Sequence, residues 1–301
     1  MLGIVSTETL KKFLQDLVNK FKNRFYNSDY GEEAADYISN VWQEITKSRE
    51  DIYVSEYSHN TIFSTISQQD SIILKIKGEI YPDKVVIIGA HLDSILEDEA
   101  SVPQTNPQMK APGADNNGAG ISLLTEVIRA IVFSGYRPRN SIEIMAIAAA
   151  EPNLLGSNDI ASYYKSKGRE VLGMLSFDKI GYKDKHKATI CFGNDKDSDS
   201  DQTNYLIKLM GQYLPDVSHG IKNCKEKFVN LKRVNCSDNT PFTNNGFPAT
   251  MVSECEFSPH HNKESDNITH VNIDQVSEFT KLALAYIAER GGGKQIKYNM
   301  F

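Results

Sequence analysis

Four residues that could bind a metal ion lie at the ends of apolar runs or at the start of a helical pattern. His91 follows the run Lys84–Ala90, Glu151 and Asp178 follow two further apolar runs, and Asp115 precedes a helical pattern. Because the carboxyl ends of parallel strands share one edge of a sheet, we expect these four side chains to lie together. One imidazole and three carboxylates suit zinc, manganese or cobalt, and a carboxylate can bridge two ions. The pattern therefore indicates a metal site.

Each of these residues taken alone has a simpler interpretation. An aspartate before a helix, such as Asp115, is more often an N-cap than a ligand. His91 could be a buried histidine with satisfied hydrogen bonds, and Glu151 and Asp178 could be salt-bridge partners. Asp93, two residues after His91, could hold the second imidazole nitrogen as an outer partner of a metal site. Their coincidence at successive strand ends favours the metal site.

The elements that would position these side chains alternate between helices and apolar strands. Helical spacing of apolar residues predicts helices over 6–25, 31–47, 121–133, 160–167, 203–213 and 274–290. Apolar or β-rich runs predict strands over 52–57, 61–66, 71–76, 84–91, 141–149, 172–177, 187–192 and 247–253. A polar loop is expected over 216–245. The alternation predicts an α/β layer structure with a largely parallel sheet and, without a linker, one domain over 1–301.

The composition argues against several classes of protein. The chain has 301 residues, of which 40% are hydrophobic and 24% charged, as is typical of a globular protein. The net charge of -6 and the scattered lysines argue against nucleic-acid binding. No apolar run reaches the length of a membrane span, and the first residues are too short for a signal peptide. We therefore expect no membrane partner, and an export signal that is missing or already removed.

The four cysteines lack the paired spacing of a structural zinc site. Cys191 lies in an apolar run and is predicted to be a small buried hydrophobic residue. Cys224 and Cys236 bracket a polar loop and could close it as a disulfide, which would indicate an oxidising compartment. A secreted or periplasmic location is the corresponding expectation.

Six motifs make the sequence resemble the bacterial leucyl aminopeptidases, a family of zinc exopeptidases. They are His91-Leu92-Asp93-Ser94, Ala111-Pro112-Gly113-Ala114-Asp115, Leu154-Leu155-Gly156-Ser157, Asp178 with Gly181-Tyr182, Cys236-Ser237-Asp238 and Gly246-Phe247-Pro248-Ala249. The resemblance covers nearly the whole chain. It implies a carboxypeptidase-like, three-layer α/β/α sandwich with a mixed, mostly parallel sheet. It also implies a cleft that binds peptide or protein N-termini and releases the first amino acid.

The resemblance also implies a metal centre with two zinc ions bridged by Asp115. One ion would be bound by His91 and Asp178, and the other by Glu151 and a later histidine. In the family, the residue before the Glu ligand is a second Glu, which removes a proton from the water between the ions.

The sequence departs from the family pattern at residues that carry catalysis. Ala150 stands at the general-base position, and a methyl group cannot accept a proton. The last ligand aligns with Asn262, whose carboxamide is a much weaker zinc ligand than imidazole. A one-residue shift would let His261 replace it; His260 is less suited, and both histidines could simply be solvated. Asn239 replaces the histidine of the family's Ser-Asp-His, and the loop 225–235 lacks the family's tyrosine.

Three functions remain compatible with these departures. The first is an active aminopeptidase in which Ala150 replaced the natural Glu to trap a substrate. The second is a pseudoenzyme that keeps one zinc site, at His91, Asp115 and Asp178, and binds a peptide or protein in the old cleft. The third is a related amidohydrolase or a glutaminyl cyclase-like enzyme. Only the pseudoenzyme accounts for every departure, so we expect little or no peptide hydrolysis and an impaired second zinc site.

Overall fold

Helices and strands alternate along the computed structural model, which describes residues 1–59, 69–96, 110–193, 198–222 and 237–293. The helices are α1 (Thr7–Lys20), α2 (Asp29–Thr46), α3 (Ala119–Ser134), α4 (Leu155–Ser166), α5 (Ser200–Tyr213), α6 (Asn239–Asn244) and α7 (Ile273–Gly291). The strands are β1 (Ile52–Tyr57), β2 (Ser71–Ile76), β3 (Tyr81–His91), β4 (Asn140–Ile147), β5 (Glu170–Phe177), β6 (Ile190–Gly193), β7 (His219–Lys222) and β8 (Ala249–Ser253).

All of these strands belong to one mixed sheet. Their order across the sheet is β1-β2-β4-β3-β5-β8-β6-β7. The central strands β4, β3, β5 and β8 run parallel to one another, and β6 is parallel to β7. The pairs β1–β2, β2–β4 and β6–β8 are antiparallel. The mixed, mostly parallel sheet confirms the prediction.

Helices cover both faces of the sheet. On β3, Val86 and Ile88 join a core with side chains of α1, α2, α3 and α7, whereas Val85 and Ile87 join a second core with α4 and α6. Because successive side chains of a strand point to opposite faces, an unbroken apolar run is buried on both. This arrangement confirms the three-layer α/β/α sandwich. Within the described ranges, none of the helices combines the length and hydrophobicity of a membrane span.

Helix α1 ends at Lys20 instead of extending to residue 25 as predicted. Ser6 caps its start by accepting a hydrogen bond from the backbone N–H of Thr9, and Phe21 is already extended, with φ -114° and ψ 108°. The chain leaves the helix there and buries Arg24 completely. The Arg24 guanidinium donates hydrogen bonds to the carbonyl groups of Leu92, Pro112 and Gly113. Arg24 thereby joins the segment after β3 to the segment before α3.

Two further boundary predictions need correction, and one cannot be compared. The segment 216–245, which was predicted to be a loop, contains β7 and α6. Strand β7 could not be recognised from an apolar run, because it is a four-residue strand at the edge of the sheet and half of its residues are exposed. The predicted helix 160–167 begins earlier, at Leu155. The strand predicted over 61–66 lies outside the described residues.

A disulfide joins Cys191 in β6 to Cys255, which follows β8. The interpretation of Cys191 as only a hydrophobic residue is therefore wrong, although its side chain is buried. Cys191 lies opposite Ser253 in the antiparallel β6–β8 pair. The cysteine to which it is bonded, Cys255, therefore follows two residues after Ser253 along the chain. Cys224 and Cys236, and the disulfide suggested for them, lie outside the described residues.

Candidate functional site

Three of the candidate side chains meet at the carboxyl edge of the central strands. His91 is the last residue of β3, Asp178 follows β5 directly, and Glu151 lies a few residues beyond the end of β4. Strand β3 lies between β4 and β5 and is parallel to both, so the three strand ends share one edge. All three side chains are buried, and Nε2 of His91 lies 3.4 Å from Oδ1 of Asp178.

Asn116 occupies the centre of this group. It lies in an irregular turn over Ala114–Gly118 that precedes α3 and has non-helical backbone angles at Asn116. Its Oδ1 lies 3.0 Å from Nε2 of His91. Its Nδ2 donates hydrogen bonds to Oε1 of Glu151 at 2.8 Å and to Oδ1 of Asn262 at 2.7 Å. One carboxamide thus connects the end of β3 to two separate loops.

Asp115 does not take the central position that the resemblance assigned to it. Its Oδ1 accepts a hydrogen bond of 2.6 Å from the backbone N–H of Gly181. Asp266 accepts hydrogen bonds from the backbone N–H groups of Asp115 and Asn116, which holds the turn in place. Asp115 is not an N-cap either, because α3 is preceded by Gly118. The residue between His91 and Glu151 is therefore Asn116, whereas the resemblance had placed Asp115 there. The physical reason is that the turn directs these two adjacent side chains to different partners.

The side chain of Asp115 belongs to a separate buried group of carboxyls. Burial raises the pKa of Asp115 to about 7, and the charge of Asp266 adds to the increase. Burial also raises the pKa of Glu254 well above its ordinary value, with Asp115 as the next cause. Glu254 accepts hydrogen bonds from the backbone N–H groups of Tyr182 and Ser258. These carboxyls accept backbone hydrogen bonds in the loops next to the site, and burial together with their mutual repulsion favours their protonated forms.

Asp93 anchors the segment that carries Ala150 and Glu151. Its two carboxylate oxygens accept hydrogen bonds from the backbone N–H groups of Ala150, at 3.0 Å, and Glu151, at 2.9 Å. Nδ1 of His91 lies 3.0 Å from the carbonyl oxygen of Asp93 and 3.4 Å from its carboxylate. Asp93 is thus a partner of the imidazole, as the sequence suggested, and it also positions the peptide at the expected base position.

The charges around His91 favour its protonated form. Burial lowers the pKa of His91, but the hydrogen bonds and charges of Asp178 and Asp93 raise it well above the ordinary value. Burial raises the pKa of Asp178, whereas Lys179 and His91 together lower it far below the usual range. Asp178 is therefore ionised, and a protonated His91 can donate from both ring nitrogens.

A lysine side chain also lies within the site. Nζ of Lys179 lies 3.1 Å from Oδ2 of Asp178, and both side chains are buried. The same Nζ lies 5.4 Å from the ring centre of Phe257. The site therefore contains a positive charge that belongs to the chain itself.

The loop after β8 contributes Asn262 to the site. Neither His260 nor His261 occupies the position beside Asn116. The Asn262 side chain contacts Asn116. His261 stacks on Phe257 at 5.8 Å between ring centres, and burial, followed by the charge of Lys179, lowers its pKa to about 3. His260 stacks on His270 at 3.6 Å between ring centres. The one-residue shift that would give His261 the position of Asn262 is not present.

These residues do not fit a centre with two bridged metal ions. A bridging side chain must offer an oxygen to each ion, but Asn116 has one oxygen, and its nitrogen is a donor directed at Glu151 and Asn262. Among the residues that the structure describes, no three His, Cys, Asp or Glu side chains converge as a metal-binding group. The arrangement is a network of hydrogen bonds and of ion pairs in which Lys179 and His91 face Asp178.

Two members of this network, Asn116 and Lys179, are missing from the sequence-based prediction. The polar run Asp115-Asn116-Asn117 marked this turn as a candidate part of the site. The signal was weak, because the residue order alone does not say which of the three side chains points into the site. Lys179 had only its position after Asp178 to mark it. Both roles depend on backbone geometry that no residue pattern specifies.

Comparison with known proteins agrees with the architecture. The model of peptidase family M28 matches residues 71–287. Leucine aminopeptidase 1 from Arthroderma gypseum is 32% identical over 96% of this chain and 75% of its own length. LapB from Legionella pneumophila superposes with a TM-score of 0.82 at 25% identity, over 96% of this chain and 73% of that one. A zinc aminopeptidase from Bacillus subtilis shares the fold, with a TM-score of 0.74 at 13% identity over 95% of both chains.

Proposed function

The chain belongs to peptidase family M28, and from that premise we propose that it is an aminopeptidase-like domain that binds peptide or protein N-termini with little or no hydrolysis. The proposal rests on Ala150. This residue directly precedes Glu151 at the edge where the strand ends meet, and Asp93 holds the backbone N–H groups of both. The position that would bring a proton acceptor to a scissile bond carries a buried methyl group.

The missing proton acceptor has a direct kinetic consequence. A positioned general base contributes about 10²–10⁴ to the rate of such a reaction. Exchange of a single residue at Ala150 does not explain the carboxamide at Asn262, which departs from the resemblance. Nor does it explain the carboxamide of Asn116 in the central position expected for Asp115. We therefore favour a natural loss of hydrolysis over a single inactivating substitution.

The strand edge retains one side chain suited to a peptide N-terminus. Glu151 places a carboxylate at the strand edge, and carboxylates bind ammonium groups through charge-assisted hydrogen bonds. The Cys191–Cys255 disulfide supports a location in an oxidising compartment, such as outside the cell or in a periplasm. The partner would therefore be a peptide or protein met in that compartment.

Two assays test this function. The purified chain should hydrolyse leucine 4-nitroanilide negligibly even with added zinc, and it should bind a fluorescent peptide with a free N-terminus more tightly than its N-acetylated form. Glu151→Gln should reduce that preference, while Glu170→Gln, at the opposite end of β5, serves as the matched control. Turnover comparable to an active family member, or equal binding of the free and acetylated peptides, would refute the proposal.

A further inference from the structure

We propose that the Lys179 ammonium and the Asn116 carboxamide replace metal ions at the strand edge, so that this site keeps its structure without zinc. The inference goes beyond the proposed function, because a chain that lacks a general base could still bind zinc. It concerns two features of the site: the positive charge that neutralises Asp178, and the hydrogen bonds of Asn116 that hold the surrounding loops together.

The first observation is the charge balance at Asp178. A buried carboxylate requires a nearby positive charge or several hydrogen bonds. Here Nζ of Lys179 lies 3.1 Å from Oδ2 of Asp178, and the lysine side chain is only 9% exposed. The aromatic ring of Phe257 gives the ammonium a second favourable contact. A divalent ion bound to Asp178 would be repelled by this ammonium, which already supplies a positive charge beside the carboxylate.

The second observation is the polarity of Asn116. In a bridged metal centre, the ligands around the bridge converge on cations. Here Glu151 and Asn262 converge on Nδ2 of Asn116, which donates a hydrogen bond to each. His91 approaches the opposite end of the same amide, where only an oxygen is present. Every contact of the carboxamide is thus matched as donor to acceptor, and the end of β3 and the two loops are joined without an ion.

The third observation is the fixation of the turn that carries Asn116. Asp266 accepts hydrogen bonds from the backbone N–H groups of Asp115 and Asn116, and Asp115 accepts one from Gly181. These contacts are all within the chain. The backbone of the turn that carries the amide is therefore held by contacts of the protein itself.

Zinc content and thermal stability test this inference on the intact chain. The wild type, after incubation with zinc and dialysis, should retain no stoichiometric zinc by elemental analysis, and neither zinc nor a chelator should shift its melting temperature. Asn116→Asp/Lys179→Met restores a carboxylate at the centre and removes the ammonium. This variant should retain zinc and gain about 5 °C in melting temperature when zinc is added.

The control is Asn116→Asp/Lys183→Met, in which an exposed lysine is exchanged in place of Lys179. Its zinc binding should be weaker than that of Asn116→Asp/Lys179→Met. Stoichiometric zinc in the wild type, with a melting temperature that falls on chelation, would overturn the inference. So would a folded Asn116→Asp/Lys179→Met variant that gains no zinc. If that variant does not fold, the wild-type zinc content and melting temperature decide the question. Peptide hydrolysis and peptide binding are separate measurements, so failure of the proposed function would be recognised independently.

Discussion

Nδ2 of Asn116 lies 2.8 Å from Oε1 of Glu151 and donates a hydrogen bond to it. The contact connects the turn before α3 to the segment after β4. A carboxylate at position 116 would face Glu151 as a like charge and would require a cation between them. The amide needs none, so this pair of residues determines how the strand-edge site is held together.

Restoration of peptide hydrolysis should require several substitutions together. Ala150→Glu alone should leave leucine 4-nitroanilide hydrolysis near background, because it adds a base without a metal centre. Ala150→Glu/Asn116→Asp/Lys179→Met/Asn262→His should raise the zinc-dependent rate by about 10² or more if no other group is missing. Initial rates with and without zinc provide the measurement. A large gain from Ala150→Glu alone would contradict the importance of the two carboxamides.

Removal of the buried guanidinium of Arg24 should destabilise the loops around the site. Arg24→Met leaves the carbonyl groups of Leu92, Pro112 and Gly113 without this donor. We expect the free energy of unfolding to fall by about 3 kcal/mol, as measured by urea denaturation. Lys22→Met, an exposed change in the same segment, should have little effect. Equal stability of the two variants would show that Arg24 is not a structural anchor.

A Ser–His–Asp chain whose serine and histidine are buried should contribute stability and no catalysis. Nδ1 of His59 lies 2.9 Å from Oδ2 of Asp159, and its Nε2 lies 2.7 Å from Oγ of Ser71. The same Oγ accepts a hydrogen bond from the backbone N–H of Ala148. His59 and Ser71 are 0% exposed, so no substrate reaches them. His59→Ala should lower the free energy of unfolding by about 2 kcal/mol, while the exposed control His186→Ala should not. Denaturation curves of the two variants make the comparison.

The buried carboxyl of Asp238 should make stability depend on pH. Burial raises its pKa from 3.8 to about 7, although His91 lowers it. Between pH 3.8 and about 7 the folded chain keeps a proton on Asp238 that the unfolded chain has released. The stabilisation from this bound proton is therefore full below pH 3.8 and is lost as the pH rises through about 7. Asp238→Asn should reduce the loss of unfolding free energy between about pH 4 and pH 8, whereas the exposed control Asp36→Asn should not. Identical pH profiles for Asp238→Asn and the wild type would contradict the assignment.

The disulfide should be a major source of stability in the outer part of the sheet. Cys191 and Cys255 are 64 residues apart in sequence, and closing a loop of that length stabilises a fold by about 4 kcal/mol in the chain-entropy account. Cys191→Ser/Cys255→Ser should therefore lower the free energy of unfolding by about 2–4 kcal/mol. Peptide mapping by mass spectrometry checks the pairing, and denaturation checks the stability. Ser253→Ala, which keeps the disulfide, is the control.

Much of the fold could be predicted from the sequence because it depends on local periodicity. The apolar run that ends at His91 predicted a strand over 84–91, and β3 is that strand. The parallel arrangement then placed His91, Glu151 and Asp178 at one edge, as β3, β4 and β5 do in the structure. Elements without such a pattern, including the short edge strand β7, were missed.

The sequence by itself determined the layer architecture, the strand ends and the absence of a proton acceptor at Ala150, since these follow from residue type and order. Only the tertiary structure decided that Asn116, in place of Asp115, faces His91 and Glu151, and that Lys179 pairs with Asp178. The physical reason is that side-chain direction in an irregular turn depends on backbone angles. Those angles are imposed by distant partners such as Asp266 and Gly181.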